Sequence, residues 1–417
     1  MKTGFIFLLF TFVGISYLNA QRNCTSHTYQ QDAFANNAIL KNNFAAIESF
    51  IAKQQNQNTT EANRIESSII KIPVVVHILY HTPNQKIKDA VVQNQIKILN
   101  ECFRRQNADT TNTPARFKGL AADCEIEFQL ATSDPKRRYT SGITSKYTPI
   151  EEWEAKDDMK YTSKLGMDAW DTKSYLNIWV CKLDNVAGYS SVMGGPAEKD
   201  GIVLDFNAFG INENSAVTNM GKTAVHEVGH WLSLKHLWGD DYCGDDGIAD
   251  TPKQSGYNVG CPSGVLISCG NGPNGDMYMN YMDFTNDACL NMFTLGQKAR
   301  MISLFNEGGV RNSLLTSRGL DAPLIFESPL PEEDPKWLEV KMYPNPATTE
   351  LILDLAYDIR WFGKIISILN LNGQVVMNVT VTSKTQRIDI SKLPAGMYIL
   401  AAKKDDGESI KKRFTKL

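Results

Sequence analysis

Three of the chain's six histidines fall within eleven residues, at His226, His230 and His236, and Glu227 directly follows the first. On a helix, positions i and i+4 share one face. His226 and His230 would therefore present two imidazoles to a single ion, with Glu227 beside them. A straight helix would carry His236 about 9 Å further along the axis. It joins the pair only if the helix ends and the chain turns back. Three imidazoles and an open fourth position suit zinc, which polarises a carbonyl and acidifies a water. Glu227, short, anionic and not itself a ligand, is placed to take a proton and pass it to a leaving amine. A bare H-E-x-x-H also reads as a solvated helix face, and the third histidine argues against that. His77 and His81 lie in or just after a strand and read as structural.

The elements that must position these groups alternate. Residues 72–80 are rich in β-branched side chains, and residues 126–130, 176–183 and 201–206 are further strands; residues 89–103 and 220–234 carry helical spacing. Alternating strands and helices make this half α/β. Past residue 236 come Gly, Asp, Asn and Cys in loops, then a last helix near 295–305. Pro323, Pro329, Pro331 and Pro335 mark a semi-rigid linker over 319–337. From residue 338, short β-like runs alternate with turns such as Asn372-Gly373, which predicts a small all-β sandwich of Ig-like kind. At the other end, residues 54–63 read as a flexible polar link, and residues 32–51 before it have helical spacing.

Of 417 residues, 42% are hydrophobic and 21% charged, enough for cores of normal size in two or three domains. A net charge of −3 gives no basic face for nucleic acid. Lys2, the uncharged stretch 5–17 and Ala20 have the form of a signal peptide. The predicted organisation is a leader at 1–20, a propeptide at 21–63, a catalytic domain at 64–318, the linker, and the β domain at 338–417. Export leads to an oxidising space, where disulfides persist. Four of the eight cysteines, Cys243, Cys261, Cys269 and Cys289, fall in the loop-rich stretch and are expected to staple it.

The histidine motif, followed by Asn280-Tyr281-Met282-Asp283, resembles that of the metzincins. The run Cys243-Gly244-Asp245-Asp246-Gly247-Ile248-Ala249-Asp250-Thr251-Pro252, with Asp287-Ala288-Cys289 and Met292-Phe293-Thr294, is similar to the pappalysin family, especially its bacterial branch. The resemblance covers roughly residues 70–310. It implies a two-lobed catalytic domain of mixed α/β (α+β) type, protein or peptide substrates, and Met282 in a turn beneath the zinc. It also implies bonds Cys243–Cys269 and Cys261–Cys289, and calcium at Asp246 and Thr251 with Asp250 nearby. Tyr343-Pro344-Asn345-Pro346, residues 369–376, Leu393-Pro394-Ala395-Gly396-Met397-Tyr398 and the basic ending 411–417 resemble the sorting domain of the type IX secretion system of Bacteroidetes. That implies transfer by this machinery to the cell surface or beyond.

Two residues depart from the family pattern. Ser233 stands where Gly usually permits a left-handed turn, at about 1 to 2 kcal/mol if the geometry is kept, so a distorted site is expected. Phe284 stands where a Tyr hydroxyl is usual, which leaves Tyr281 or Tyr278 to replace it. Together they motivate the rival reading, a zinc-stabilised binding or adhesion protein with weak or no catalysis. Some bacterial relatives select basic residues through an acid just past the cysteine matching Cys289; Leu290 and Asn291 stand there. Finally, Cys24 in Arg22-Asn23-Cys24-Thr25 resembles the cysteine switch of metzincin zymogens. Its thiolate would occupy the water's position, Arg22 would pair with an acid in the cleft, and a cut before Arg64 would release it. Alternatively Cys24 joins a disulfide; if it serves the metal, Cys181 is the free thiol that balances the count.

Overall fold

The β-branched run becomes the central strand, β1 (Ile70–Tyr80), buried at every position but one. The structure is a computed structural model and describes residues 24–57, 69–213, 215–326, 340–355, 359–404 and 409–417. The leader, Arg22, the cut before Arg64 and most of the proline linker lie outside the described residues.

One edge of β1 is met in succession by β2 (Ile126–Leu130) and β3 (Ile143–Tyr147), and the other by β4 (Leu176–Cys181), all parallel. β5 (Gly188–Ser190) pairs antiparallel with β6 (Ile202–Asp205), itself parallel to β4, and forms the free edge. A mostly parallel sheet must be covered on both faces, which is why β1, except at Lys71, and β4 are buried throughout rather than alternately. Ile78, Val180 and Leu204 enter the main core, while Leu79, Trp179 and Val203 enter a second one on the opposite face. Helix α3 (Asp89–Phe103) packs on β2 and on the later helix α5. A short α4 (Ala115–Lys118) follows it.

Ahead of the sheet lie α1 (Ser26–Asn36) and α2 (Ala38–Gln57). They correct the reading of residues 54–57 as flexible link: α2 runs through them, buries Ile51 and receives a hydrogen bond on Gln54 Oε1 from Asn306 Nδ2, 2.9 Å away. Helix α5 (Lys222–Trp231) packs on β5 and β6. The stretch between it and α6 (Leu295–Ser303) has little regular structure and is closed by Cys243–Cys269 and Cys261–Cys289. Cys102, Cys124 and Cys181 are all buried thiols, so Cys181 is not alone in balancing Cys24.

The C-terminal region forms two antiparallel sheets. One orders β11 (Thr385–Asp389), β8 (Glu350–Asp354) and β7 (Lys341–Tyr343). The other orders β10 (Val375–Thr380), β9 (Ile365–Leu369), β12 (Gly396–Lys403) and β13 (Ser409–Lys416). Leu351, Leu353, Trp361, Ile368, Leu400 and Phe414 make a core separate from the main one.

Candidate metal centre

Helix α5 runs through the main core, with His226 and Glu227 both fully buried. Its backbone stops at Trp231, where Ser233 N donates to His230 O at 2.8 Å and Leu234 N to Gly229 O at 2.9 Å. This is the double bond pattern of a helix closed by a left-handed residue. That residue is Ser233, at φ +74°. Arg300 holds it there: Nε donates to Ser233 O at 2.7 Å and Nη2 to Ser233 Oγ at 2.9 Å. The expected distortion is therefore absent, and the turn brings His236 back beside the helix.

The three Nε2 atoms converge. His230 Nε2 lies 3.1 Å from those of both His226 and His236, which are 3.3 Å from each other. Each opposite nitrogen faces an acceptor: His226 Nδ1 the Tyr281 carbonyl at 2.7 Å, His230 Nδ1 the Leu234 carbonyl at 2.8 Å, and His236 Nδ1 the Asp240 carboxylate. A carbonyl can only accept, so the proton sits on Nδ1 and the Nε2 lone pair points inward, as in histidines oriented for a metal. Burial, aided by His236, pushes His230 down to about 3, so it is neutral and able to ligate. Three lone pairs at these separations could hold a cation between them. Ligands about 2.0–2.1 Å from a tetrahedral zinc stand about 3.3–3.4 Å apart, which fits this set.

Met282 lies under the helix. A Cβ on Gly229 would stand 2.5 Å from Met282 Sδ, so glycine lets this side chain approach the helix closely. Phe284 packs 5.6 Å from the His226 ring and 4.9 Å from that of His236. The two tyrosines considered as replacements point elsewhere. Tyr281 is buried against Phe293, and Tyr278 donates to the Gly264 carbonyl at 3.2 Å. The phenol stacked on Phe284 is Tyr257, with ring centroids 5.3 Å apart. Sequence reading missed it because nothing in the local pattern ties residue 257 to residue 284.

Cys24 Sγ lies 3.6 Å from His230 Nε2, and with the three histidine nitrogens forms a group whose donor atoms are all within 4.8 Å of one another. Burial, and then the Glu227 charge, hold this thiol well above its ordinary value. The segment bearing it lies on the sheet's free edge: Cys24 bridges Gly188 in parallel, and Thr25 N donates to Gly188 O at 3.4 Å. Ser26 Oγ donates to Glu227 Oε2 at 2.9 Å and accepts from Ser190 N at 2.9 Å. His27 Nδ1 is 3.1 Å from Asp240, the carboxylate that orients His236. Glu48 pairs with Arg300, beside Ser233. None of Ser26, His27 or Glu48 was singled out from sequence, since they belong to no motif and act only by proximity.

The acidic loop divides its residues. Asp246 Oδ1 accepts from Thr251 Oγ1 at 2.8 Å and Ile248 N at 3.0 Å, while Oδ2 is buried with no partner among the described residues. Burial pushes Asp246 up to about 6. Asp250 turns away to cap α6, accepting from Thr294 Oγ1 at 2.7 Å and Gly296 N at 2.8 Å, so it is withdrawn from the expected ligand set. Leu290 and Asn291 are buried, with Asn291 Oδ1 accepting from Thr113 at 2.8 Å.

Residues 159–306 match the family model described as pregnancy-associated plasma protein-A, and residues 341–416 match that of the secretion system C-terminal sorting domain. An extracellular metalloprotease of Pyricularia oryzae is 50% identical over 88 residues; the chain spans 31% of that relative, and the match covers 21% of the chain. One of Arthroderma gypseum is 30% identical over 303 residues, covering 70% of the chain and 86% of the relative. A Tannerella forsythia promirolysin mutant is 42% identical, with a TM-score of 0.65, over 71% of the chain and 97% of that protein.

Proposed function

Because the chain belongs to the pregnancy-associated plasma protein-A, or pappalysin, family of metalloproteases, we propose that it is a secreted zinc endopeptidase made in a latent form. His226, His230 and His236 hold the metal, and the convergence of their three Nε2 atoms is the observation that carries this reading. Zinc, when bound, supplies the Lewis acidity that polarises the scissile carbonyl and acidifies a water. Glu227 is the general base. Its buried carboxylate faces the same space and accepts a hydroxyl proton donor from Ser26, the hydrogen bond a substrate water would make. In the reaction it would take a proton from that water and return it to the leaving amine. Asp240 and the Tyr281 and Leu234 carbonyls hold the imidazoles in one tautomer. The free edge of β5 offers backbone groups to an extended peptide.

Cys24 is the latency device: its sulfur lies with the three histidine nitrogens, where it would join them in holding the metal and exclude the catalytic water. The same reading places a structural calcium at Asp246 and Thr251, without Asp250, supported by the buried Asp246 Oδ2. The C-terminal pair of sheets is read as an Ig-like sandwich addressed to the type IX machinery, which with the extracellular relatives supports a secreted or cell-surface location.

The test is digestion of casein by the activated protein with and without a chelator. Chelator-sensitive cleavage is expected, and Glu227→Ala should lower turnover at least about a hundredfold with zinc content unchanged. His236→Ala should lower zinc content itself. Zinc binding without any cleavage would overturn the reading in favour of a zinc-stabilised binding protein, for which Phe284 in place of a phenol is the supporting observation.

A further inference from the structure

Tyr29 lies one turn after Ser26 on the same face of α1, and its side chain enters a slot built entirely by the catalytic domain. The ring packs 5.0 Å from that of Tyr189 on β5 and joins the core of Met159, Trp179 and Tyr189. At the floor is Asp157, whose Oδ2 accepts the Tyr29 hydroxyl. Asp157 is buried and held in place from three sides. Lys160 Nζ, fully buried, is 2.8 Å from Oδ1, Lys199 Nζ is 3.2 Å from Oδ2, and the Tyr189 hydroxyl is 3.2 Å from Oδ1. None of these partners belongs to the N-terminal segment, so the slot and its acceptor remain when that segment leaves.

We propose that this slot is a substrate subsite that takes a hydroxyphenyl side chain, and that Tyr29 is its resident occupant in the precursor. The proposal rests on the peptidase reading and deepens it. The chemistry selects the ligand. Two ammonium groups already surround one carboxylate, so an incoming Lys or Arg would add a third cation to a closed space. A Phe would fill the aromatic walls but leave the buried Oδ2 without its hydroxyl donor. A phenol satisfies both. Position favours substrate contact. Ser26 touches the general base, and Tyr29 is about 4.5 Å further along the helix axis. An extended chain advances about 3.3 Å per residue, so a peptide on the β5 edge would reach the slot within about two or three residues of the scissile bond.

The experiment uses the full chain carrying Glu227→Ala, cut within residues 58–68 and separated from its N-terminal segment, so that peptides bind without being consumed. The probe is a fluorescent peptide of residues 24–57, followed by anisotropy. Tyr29→Phe in the probe should weaken binding about tenfold or more, the usual effect of losing a hydrogen bond to a buried charged acceptor. Short peptides that differ only by Tyr, Phe or Ala at one position then compete for the site. Tyr should outcompete Phe by a similar factor at one register. Equal competition by all three at every register overturns the proposal. In a second arm, the active enzyme cleaves a peptide library, and Tyr should be enriched at that register through KM rather than kcat. Tyr-selective competition with no cleavage at all would remove the peptidase reading and leave the slot standing.

Discussion

Residues 24–57 and 340–417 both extend the catalytic domain, and they differ in where their side chains go. The C-terminal strands bury Leu351, Ile368, Leu400 and Phe414 against one another, in a core that shares no residue with the catalytic one. The N-terminal helices bury almost nothing among themselves. Leu40, Ile51 and Ser26 are their buried residues, and their polar anchors reach Glu227, Asp240, Asp157 and Arg300 on the catalytic domain. The first appendage is a ligand tethered to its site; the second is a domain. A chain that cannot close a core of its own is ordered by what it binds, so on the reading proposed above the N-terminal segment should leave after one cut, whereas the C-terminal region should keep its shape without the catalytic domain.

The comparison breaks most visibly at Cys24. In the uncut precursor, Cys24→Ala should raise peptidase activity at least about tenfold, since a tethered ligand faces its site at roughly millimolar effective concentration and loses its strongest contact. An uncut variant as latent as the uncut wild type would show that Cys24 is not the switch. Glu48→Ala should weaken rebinding of the released 24–57 segment by about tenfold, because Arg300 loses a partly buried charged partner; an unchanged dissociation constant in the anisotropy assay would contradict it. Deleting residues 338–417 should leave casein cleavage and the catalytic domain's thermal transition unchanged while abolishing export in a host with the matching system. Loss of that transition would mean that the two cores are one cooperative unit.

A further expected effect, read in stability rather than in activity or binding, separates the two cores by pH. His77 is buried in β1 between Thr144 Oγ1 at 2.8 Å and Asn177 Oδ1 at 2.9 Å, and burial pushes it down to about 4. Its unfolded form titrates near 6.5, so between about 6.5 and 4 the unfolded chain binds the extra proton. Stability of the catalytic domain should therefore be fully present above about pH 6.5 and fall as pH drops towards 4, by up to about 3 kcal/mol. His77→Gln should flatten that slope. The C-terminal domain contains no histidine, and its own transition should not share it. Calorimetry at pH 7, 6 and 5 would decide.

Much of this was legible in the chain itself. The 3.6-residue repeat and the i, i+4 histidines placed a helix with two imidazoles on one face, and periods near 2 in short runs marked the C-terminal strands, because these are local properties of backbone geometry. Helix α3 falls at the expected residues 89–103, and α5 is a shortened form of 220–234. What remained illegible depended on partners distant in sequence. The fate of Ser233 was decided by Arg300, 67 residues away, which turns a strained position into a held one. Which tyrosine lies beside Phe284, and the withdrawal of Asp250 to the end of α6, follow from loop paths that no local pattern specifies. Ser26, His27, Tyr29 and Glu48 are ordinary polar residues on a helix surface until the catalytic domain places Glu227, Asp240, Asp157 and Arg300 opposite them. Sequence determined which chemistry the chain could hold, through residue types and short spacings. Only the tertiary structure decided which groups meet, since hydrogen bonds and buried charges act over a few ångströms in space regardless of separation along the chain.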